Sequence, residues 1–199
     1  MYRVYGDTQS GNCYKIKLLM GFLAISYEWI HIDILAGETN TNAFSAMNGN
    51  KKIPVLQIDE DAFLWESNAI LNYLAEGSSF LPNSGFERAK VLQWQFFEQY
   101  SHEPYIAVAR YINKYLGLPD DKKALYESKQ EGGYKALGVM DEQLAKSEFL
   151  VGGSPTIADI SLYAYTHVAH EGGFDLANFK NIRKWMGQIE ALPNYVEMG

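Results

Sequence analysis

Hydrophobic and polar positions follow two rhythms along this chain, and the change of rhythm divides it. Residues 2–5 form a short β-rich run closed by Gly6-Asp7. Over residues 13–24 apolar side chains fall at Ile16, Leu19, Met20 and Leu23, the three-to-four spacing of a helix face. The aromatic and β-branched stretch 27–34 predicts a strand, parallel to the first because a helix connects them. Residues 37–52 are polar and rich in Asn, Thr and Gly, with room for a turn of helix around 43–47. Residues 53–58 and 62–65, joined by Asp59-Glu60-Asp61, predict a hairpin, and a helix follows from Ser67 to about Glu76. The order is β-α-β, a polar excursion, then β-β-α.

Residues 77–85 are the densest run of turn formers and predict a linker, set at 77–86 between a first domain over 1–76 and a second over 87–199. Beyond it the period is helical: 86–115, 122–146, 156–170 and 181–192, separated by Gly117-Leu118-Pro119, Gly152-Gly153-Ser154-Pro155 and Gly172-Gly173. Pro104 predicts a kink inside the first of these helices.

Composition narrows the picture. With 47% hydrophobic and 21% charged residues the chain is globular rather than disordered. Seventeen Lys and Arg against 24 Asp and Glu give a net charge of −7, which repels polyanions and argues against nucleic acid as a partner. No apolar run approaches the roughly 18 residues of a membrane span, and the polar start lacks a signal-peptide core, so a cytoplasmic protein without a membrane partner is expected. The single cysteine, Cys13, forbids an internal disulfide or a zinc site built on several thiolates.

Three segments carry candidate chemistry. Ser10-Gly11-Asn12-Cys13-Tyr14-Lys15 lies where the first strand hands over to the first helix, and the free N–H groups of a helix start favour an anion such as a thiolate. The same residues read equally as a plain N-cap, and Cys13 as a buried small apolar side chain or a reactive thiol. Pro54 places its strand at an edge or bends it. A cis Ile53-Pro54 bond turns the Ile53 peptide toward an extended ligand, and an ordinary trans edge proline fits the same residues. In Trp65-Glu66-Ser67-Asn68, Ser67 is expected to cap the third helix, a second anion-accepting end beside an acidic Glu66. His167 and His170, with Glu171, have metal-compatible spacing, but nothing else supplies a ligand set and no metal is expected.

Lys52-Ile53-Pro54-Val55-Leu56 and Glu66-Ser67-Asn68-Ala69-Ile70 together resemble the two glutathione-binding motifs of the cytosolic glutathione transferase superfamily. Gly152-Gly153-Ser154-Pro155-Thr156-Ile157-Ala158-Asp159 is similar to its capping box and hydrophobic staple, with Asp159 reaching back to Thr156 or Ser154. The resemblance covers essentially the whole chain. It implies an α+β, thioredoxin-like N-terminal domain of order β-α-β-α-β-β-α and an all-α C-terminal bundle. Ser10-Gly11-Asn12-Cys13 resembles the Ser-x-x-Cys start of bacterial, serine-type members, with Asn12 where many relatives have proline.

The resemblance further implies glutathione as co-substrate. Ile53 would hold its cysteinyl part, Glu66 and Ser67 its γ-glutamyl end, and Lys52, assisted by Asn40 or Thr39, its glycyl carboxylate. Ser10, or alternatively Asn12, would donate to the sulfur. Tyr5 lies within the first strand, outside the tyrosine-type position. Tyr105, Ile106 and Ala109 become candidates for the apolar electrophile site. Glu98 and Gln99 are placed near glutathione across the interface of a homodimer, and Arg110 is expected to be paired internally. The implied function is detoxifying addition of glutathione to a small apolar electrophile. A thiol-disulfide or peroxide reductase using Cys13, and a non-catalytic binding protein, are the alternatives.

Overall fold

The computed structural model describes residues 1–199. They form two compact units, Met1–Ser78 with Pro193–Gly199, and Ser79–Leu192. The terminal stretch, helical neither in sequence nor in structure, belongs with the first unit: the Tyr14 hydroxyl donates to the Val196 carbonyl at 2.9 Å, and the Phe22 and Tyr195 rings meet at 6.5 Å.

The first unit is a mixed four-stranded sheet with helices, the thioredoxin-like arrangement. In chain order it contains β1 (Tyr2–Gly6), α1 (Gly11–Phe22), β2 (Tyr27–His31), α2 (Asn42–Met47), β3 (Val55–Asp59), β4 (Ala62–Trp65) and α3 (Ser67–Ala75). The sheet order is β2-β1-β3-β4, with β1 and β2 parallel and the other pairs antiparallel. Val4 pairs with Trp29 on one side and Leu56 on the other, so β1 is an inner strand, and it carries the chain into α1. Helix α1 is enclosed on most sides: Cys13, Tyr14, Lys15, Ile16, Leu18, Leu19 and Met20 are buried. Helix α2 contributes Phe44 to a cluster with Ile32 and Val55. The polar excursion therefore contains a helix that packs on the sheet.

The second unit is all-helical: α4 (Gly85–Phe97), α5 (Glu103–Arg110), α6 (Lys123–Leu144), α7 (Ile157–Thr166) and α8 (Lys180–Glu190). The single kinked helix predicted over 86–115 is instead two α-helices, each followed by a π-helical turn, Glu98–His102 and Tyr111–Tyr115. The first turn ends just before Pro104, which lacks an N–H and clashes with the preceding turn of a regular helix; a widened turn relieves both. The helix predicted to reach residue 170 stops at Thr166, and a 3-10 turn, Ala169–Gly172, follows.

Asp159 organises this unit. Thr156 caps α7, and the buried Asp159 carboxylate accepts the Thr156 N–H at 2.8 Å and its hydroxyl at 3.0 Å. Its other oxygen accepts the Leu150 N–H and the Trp185 indole N–H, each at 2.9 Å. Burial pushes this carboxyl up, and the four donors oppose that rise. Replacing Asp159 by Ala strands four donors in the interior, and unfolding in urea is expected to show a loss of more than about 3 kcal/mol. A loss below about 1 kcal/mol, that of a simple cap, would refute the assignment.

Candidate active site

The end of β1 at Gly6 sets the geometry of the α1 start. A Cβ at Gly6 would lie 2.6 Å from Cys13 Sγ, so strand and helix approach this closely only with glycine. Ser10 is the N-cap: its Oγ accepts the Cys13 N–H at 3.5 Å, and its own N–H donates to the Asp7 carbonyl at 3.1 Å. Cys13 is fully buried, and burial pushes its thiol up to about 12, an effect the Ser10 hydroxyl offsets only in part. As a catalytic candidate Cys13 is corrected here. The helix start that could have lowered its pKa is outweighed by removal of the sulfur from water.

Asn12 and Ser67 meet, although 55 residues apart: the Ser67 hydroxyl donates to Asn12 Oδ1 at 3.1 Å. Between them lies Lys15, whose ammonium donates to Asn12 Oδ1 at 2.8 Å and to Ser67 Oγ at 3.3 Å. Lys15 is completely buried and Ser67 nearly so, while Asn12 is partly exposed. Ser67 is not the expected cap of α3. It is the first helical residue, with its hydroxyl engaged in this network. The N-cap is Glu66, which makes no side-chain capping bond and has φ 68°, ψ 111°. A left-handed backbone at a non-glycine residue costs of order 1–2 kcal/mol and concentrates at functional sites. Glu66 is exposed, and its Oε1 accepts from Asn50 Nδ2 at 3.4 Å.

The Ile53-Pro54 bond is cis. The β1–β3 ladder begins at Val55, leaving Ile53 just ahead of it. The buried Asn48 fixes the approach: its Nδ2 donates to the Lys52 carbonyl and its Oδ1 accepts the Asn50 N–H, both at 2.8 Å. Lys52 is exposed at the same segment. Asn40 ends an exposed 3-10 turn, Glu38–Asn40, with its N–H on the Gly37 carbonyl, and Thr39 is half-buried in that turn. Tyr5 is committed to the sheet through a 2.9 Å bond to Gln57.

In the second unit a cleft of about 260 Å³ is walled by Phe97, Tyr100 and Tyr105 and floored by Gly132 and Ala136. A Cβ at Gly132 would fall 2.2 Å from the Tyr105 ring, so this wall exists only because residue 132 is glycine. Of the three electrophile-site candidates Tyr105 faces the cleft. Ile106 and Ala109 are fully buried core residues, unlike the lining role that the resemblance implied for them. Glu98 is also buried, bonded to Gln99 at 2.8 Å and to Ser161 at 3.5 Å, and is held inside its own unit rather than extended toward a partner. Arg110 pairs with Glu171, as does Lys114; burial raises the Glu171 carboxyl, but these two cations bring it below its usual range. His167 turns inward, Nδ1 to the Tyr163 carbonyl at 2.9 Å, and burial lowers it to about 4, while His170 is exposed.

Residues 1–76 match the family described as glutathione S-transferase, N-terminal domain, and residues 94–193 its C-terminal domain. The chain belongs to the glutathione S-transferase family. A crystal structure of a glutathione S-transferase from Pseudomonas fluorescens is 57% identical and superposes with a TM-score of 0.97, covering 99% of this chain and 98% of that one. Glutathione S-transferase F10 of Arabidopsis thaliana is 33% identical over 185 residues, 87% of this chain and 85% of its own. A disulfide-bond oxidoreductase of Escherichia coli, YfcG, is 28% identical over 190 residues, 92% of this chain and 87% of its own. No helix is long and apolar enough to cross a membrane.

Lys15, Asn48 and Asn50 bond to the candidate segments and were not singled out from the sequence. The available signal was a lysine placed three residues after Asn12 in a helix otherwise buried on most sides. For Cys13, iodoacetamide labelling followed by mass spectrometry is expected to run at least about 100-fold slower in the folded protein than in urea. The folded thiol keeps its proton to about 12 while the unfolded thiol releases it in the ordinary range, so stability falls as pH rises through that window. Rapid labelling of folded protein would restore Cys13 to the site.

Proposed function

We propose that this chain binds glutathione at the junction of α1, α3 and the Ile53-Pro54 segment, and delivers its thiolate to a small apolar electrophile. The observation that carries this reading is the Ser67–Asn12 hydrogen bond, which makes two helix starts into one site. Each start presents the positive end of a helix dipole, so one can receive the γ-glutamyl carboxylate and the other the sulfur. Ser67, with Glu66 for the amine, takes the γ-glutamyl end. The Ile53 backbone takes the cysteinyl part as a short added strand, and Lys52, with Asn40 in the neighbouring turn, takes the glycyl carboxylate. Asn12 and Ser10 donate to the sulfur. Tyr105 is the hydrophobic-site candidate that remains.

The chemical task is to favour thiolate over thiol. Lowering a thiol pKa by ~2 units requires about 2.7 kcal/mol, within reach of one or two hydrogen bonds and a helix terminus. Burial of Cys13 counts against a thiol-disulfide reaction at that residue, and intact peptide-binding elements favour an enzyme over a scaffold. The test is glutathione binding by calorimetry, with conjugation rates for a chromogenic haloarene, in the parent, Ser10→Ala, Asn12→Ala and Cys13→Ser. Binding and turnover in the parent, an approximately tenfold or greater fall in turnover with Asn12→Ala or Ser10→Ala, and little change with Cys13→Ser are expected. No binding, or activity lost only with Cys13→Ser, would overturn the reading.

The same reading extends to assembly as a homodimer. Helix α4 and the turn after it expose Ala89, Leu92, Phe96 and Tyr100 at helical spacing, with Phe96 at 69% and Tyr100 at 87% exposure. A stripe of this kind calls for a covering partner. Sedimentation should give twice the 22.5 kDa chain mass for the parent, and Phe96→Asp should give the chain mass. A monomeric parent would refute it.

A further inference from the structure

We infer that Asn48 is a positioning residue of this site: its buried carboxamide holds the Lys52 carbonyl inward and so turns the Ile53 N–H outward, toward the peptide of the ligand. This rests on the reading that the cysteinyl part of glutathione lies along Ile53.

Asn48 uses both its backbone and its carboxamide on the chain around it. Its N–H donates to the Phe44 carbonyl at 3.0 Å, ending α2, and its carbonyl accepts the Lys51 N–H at 3.0 Å. Its Oδ1 accepts the Asn50 N–H and its Nδ2 donates to the Lys52 carbonyl, both at 2.8 Å. The partners fix the orientation of the amide, because a backbone N–H only donates and a carbonyl only accepts. Residues 50, 51 and 52 are thus wound about one side chain that is 2% exposed. The winding puts Lys51 at φ 55°, a left-handed backbone that a lysine keeps only where its surroundings hold it.

The consequence for Ile53 follows from peptide geometry. The Lys52 C=O and the Ile53 N–H belong to one planar unit, and that unit is trans, the cis bond being the next along. In a trans peptide the two groups point in opposite directions, so a carbonyl held on the buried Asn48 sends the N–H the other way. The Ile53 side chain is fixed separately, packed with Met47 against the cluster of Ile32, Phe44 and Val55. With the side chain and the preceding carbonyl both anchored, the peptide plane has little freedom to rotate. No group of the chain accepts the Ile53 N–H, and the β1–β3 ladder begins only at Val55. A donor held in place at the end of a strand suits the carbonyl of an extended peptide. Asn50 extends the same loop to the start of α3, since its Nδ2 donates to Glu66 Oε1 at 3.4 Å. Lys51, Lys52 and Glu66 are the charged side chains on the segments bonded to Asn48 and Asn50, and all three are exposed.

The experiment uses the full chain and reduced glutathione, with Asn48→Ala and Asn48→Asp beside the parent. Affinity is measured by calorimetry at about pH 7.5 and about pH 5, folding by a thermal melt, and the Ile53 amide by nitrogen-15 spectra of isoleucine-labelled protein. Folded Asn48→Ala is expected to bind glutathione about tenfold or more weakly at both pH values, the worth of one misdirected hydrogen bond. Asn48→Asp keeps the acceptor for Asn50 but at the higher pH sets a carboxylate against the Lys52 carbonyl, and its affinity should fall at least as far. At the lower pH the buried acid takes up a proton, donates to that carbonyl again, and should return to within about threefold of the parent. A loss of packing alone would not respond to pH in this way. Equal affinity of folded Asn48→Ala and parent, or an Asn48→Asp deficit that is the same at both pH values, overturns the positioning role and leaves the glutathione reading standing. If neither variant folds, the parent decides: its Ile53 amide should exchange with solvent at least about tenfold more slowly with glutathione bound than without, and equal exchange in the two states overturns the inference. A parent that does not bind glutathione removes both readings together.

Discussion

A charged amine without water is the constraint around which the first unit is arranged. Lys15 lies on a helix enclosed on most sides, and an ammonium in that position needs acceptors or costs several kcal/mol. Asn12, one turn earlier, supplies a carbonyl; Ser67, from the start of α3, supplies a hydroxyl oxygen. Drawing Ser67 inward makes it the first residue of α3 and puts Glu66 in the cap position with a positive φ. The strain at Glu66, of order 1–2 kcal/mol, is smaller than the penalty of an unsatisfied buried ammonium, so the junction settles with the strain and without the bare charge.

The second unit solves a similar problem with the opposite sign and a different outcome. Asp159 is as buried as Lys15, and both its oxygens are filled, two donors each, by Thr156, Leu150 and Trp185. Such a closed network has nothing left to offer a ligand and serves to join α7, α8 and the 150 loop. The Lys15 network instead joins the first turn of α1 to the start of α3 and includes the partly exposed Asn12.

Much of this architecture was legible because its signals are local. The alternation in β1, the spacing in α1, the hairpin about Asp59-Glu60-Asp61 and the Thr156–Asp159 capping box each lie within a few residues. What was not legible depended on tertiary surroundings. Hydrophobic periodicity sends a lysine to solvent, and only the packing around α1 encloses Lys15. Capping preference identifies Ser67 by residue type, but not the left-handed Glu66 that displaces it from the cap. Ile106 and Ala109 were named as electrophile-site candidates by family resemblance, and one helix was expected through 86–115. The π-helical turn at Glu98–His102 inserts a residue, and one residue rotates every later side chain by about 100°, enough to exchange a lining face for a core face.

The two sulfurs that concern this site, Cys13 and the thiol of the proposed ligand, show which electrostatic effect dominates. A helix N-terminus favours an anion by about 0.3–1 kcal/mol, and Cys13 lies in the first turn of such a helix. Its thiol nevertheless rises from an ordinary 9.0 to about 12, of order 4 kcal/mol against the charged form, because the sulfur is cut off from water. Proximity to the helix start is therefore not enough to make a thiolate here. A thiolate there would need to stay near water and still receive donors, a combination the enclosed side of α1 does not offer. Burial thus keeps Cys13 in its thiol form although it lies at a helix start.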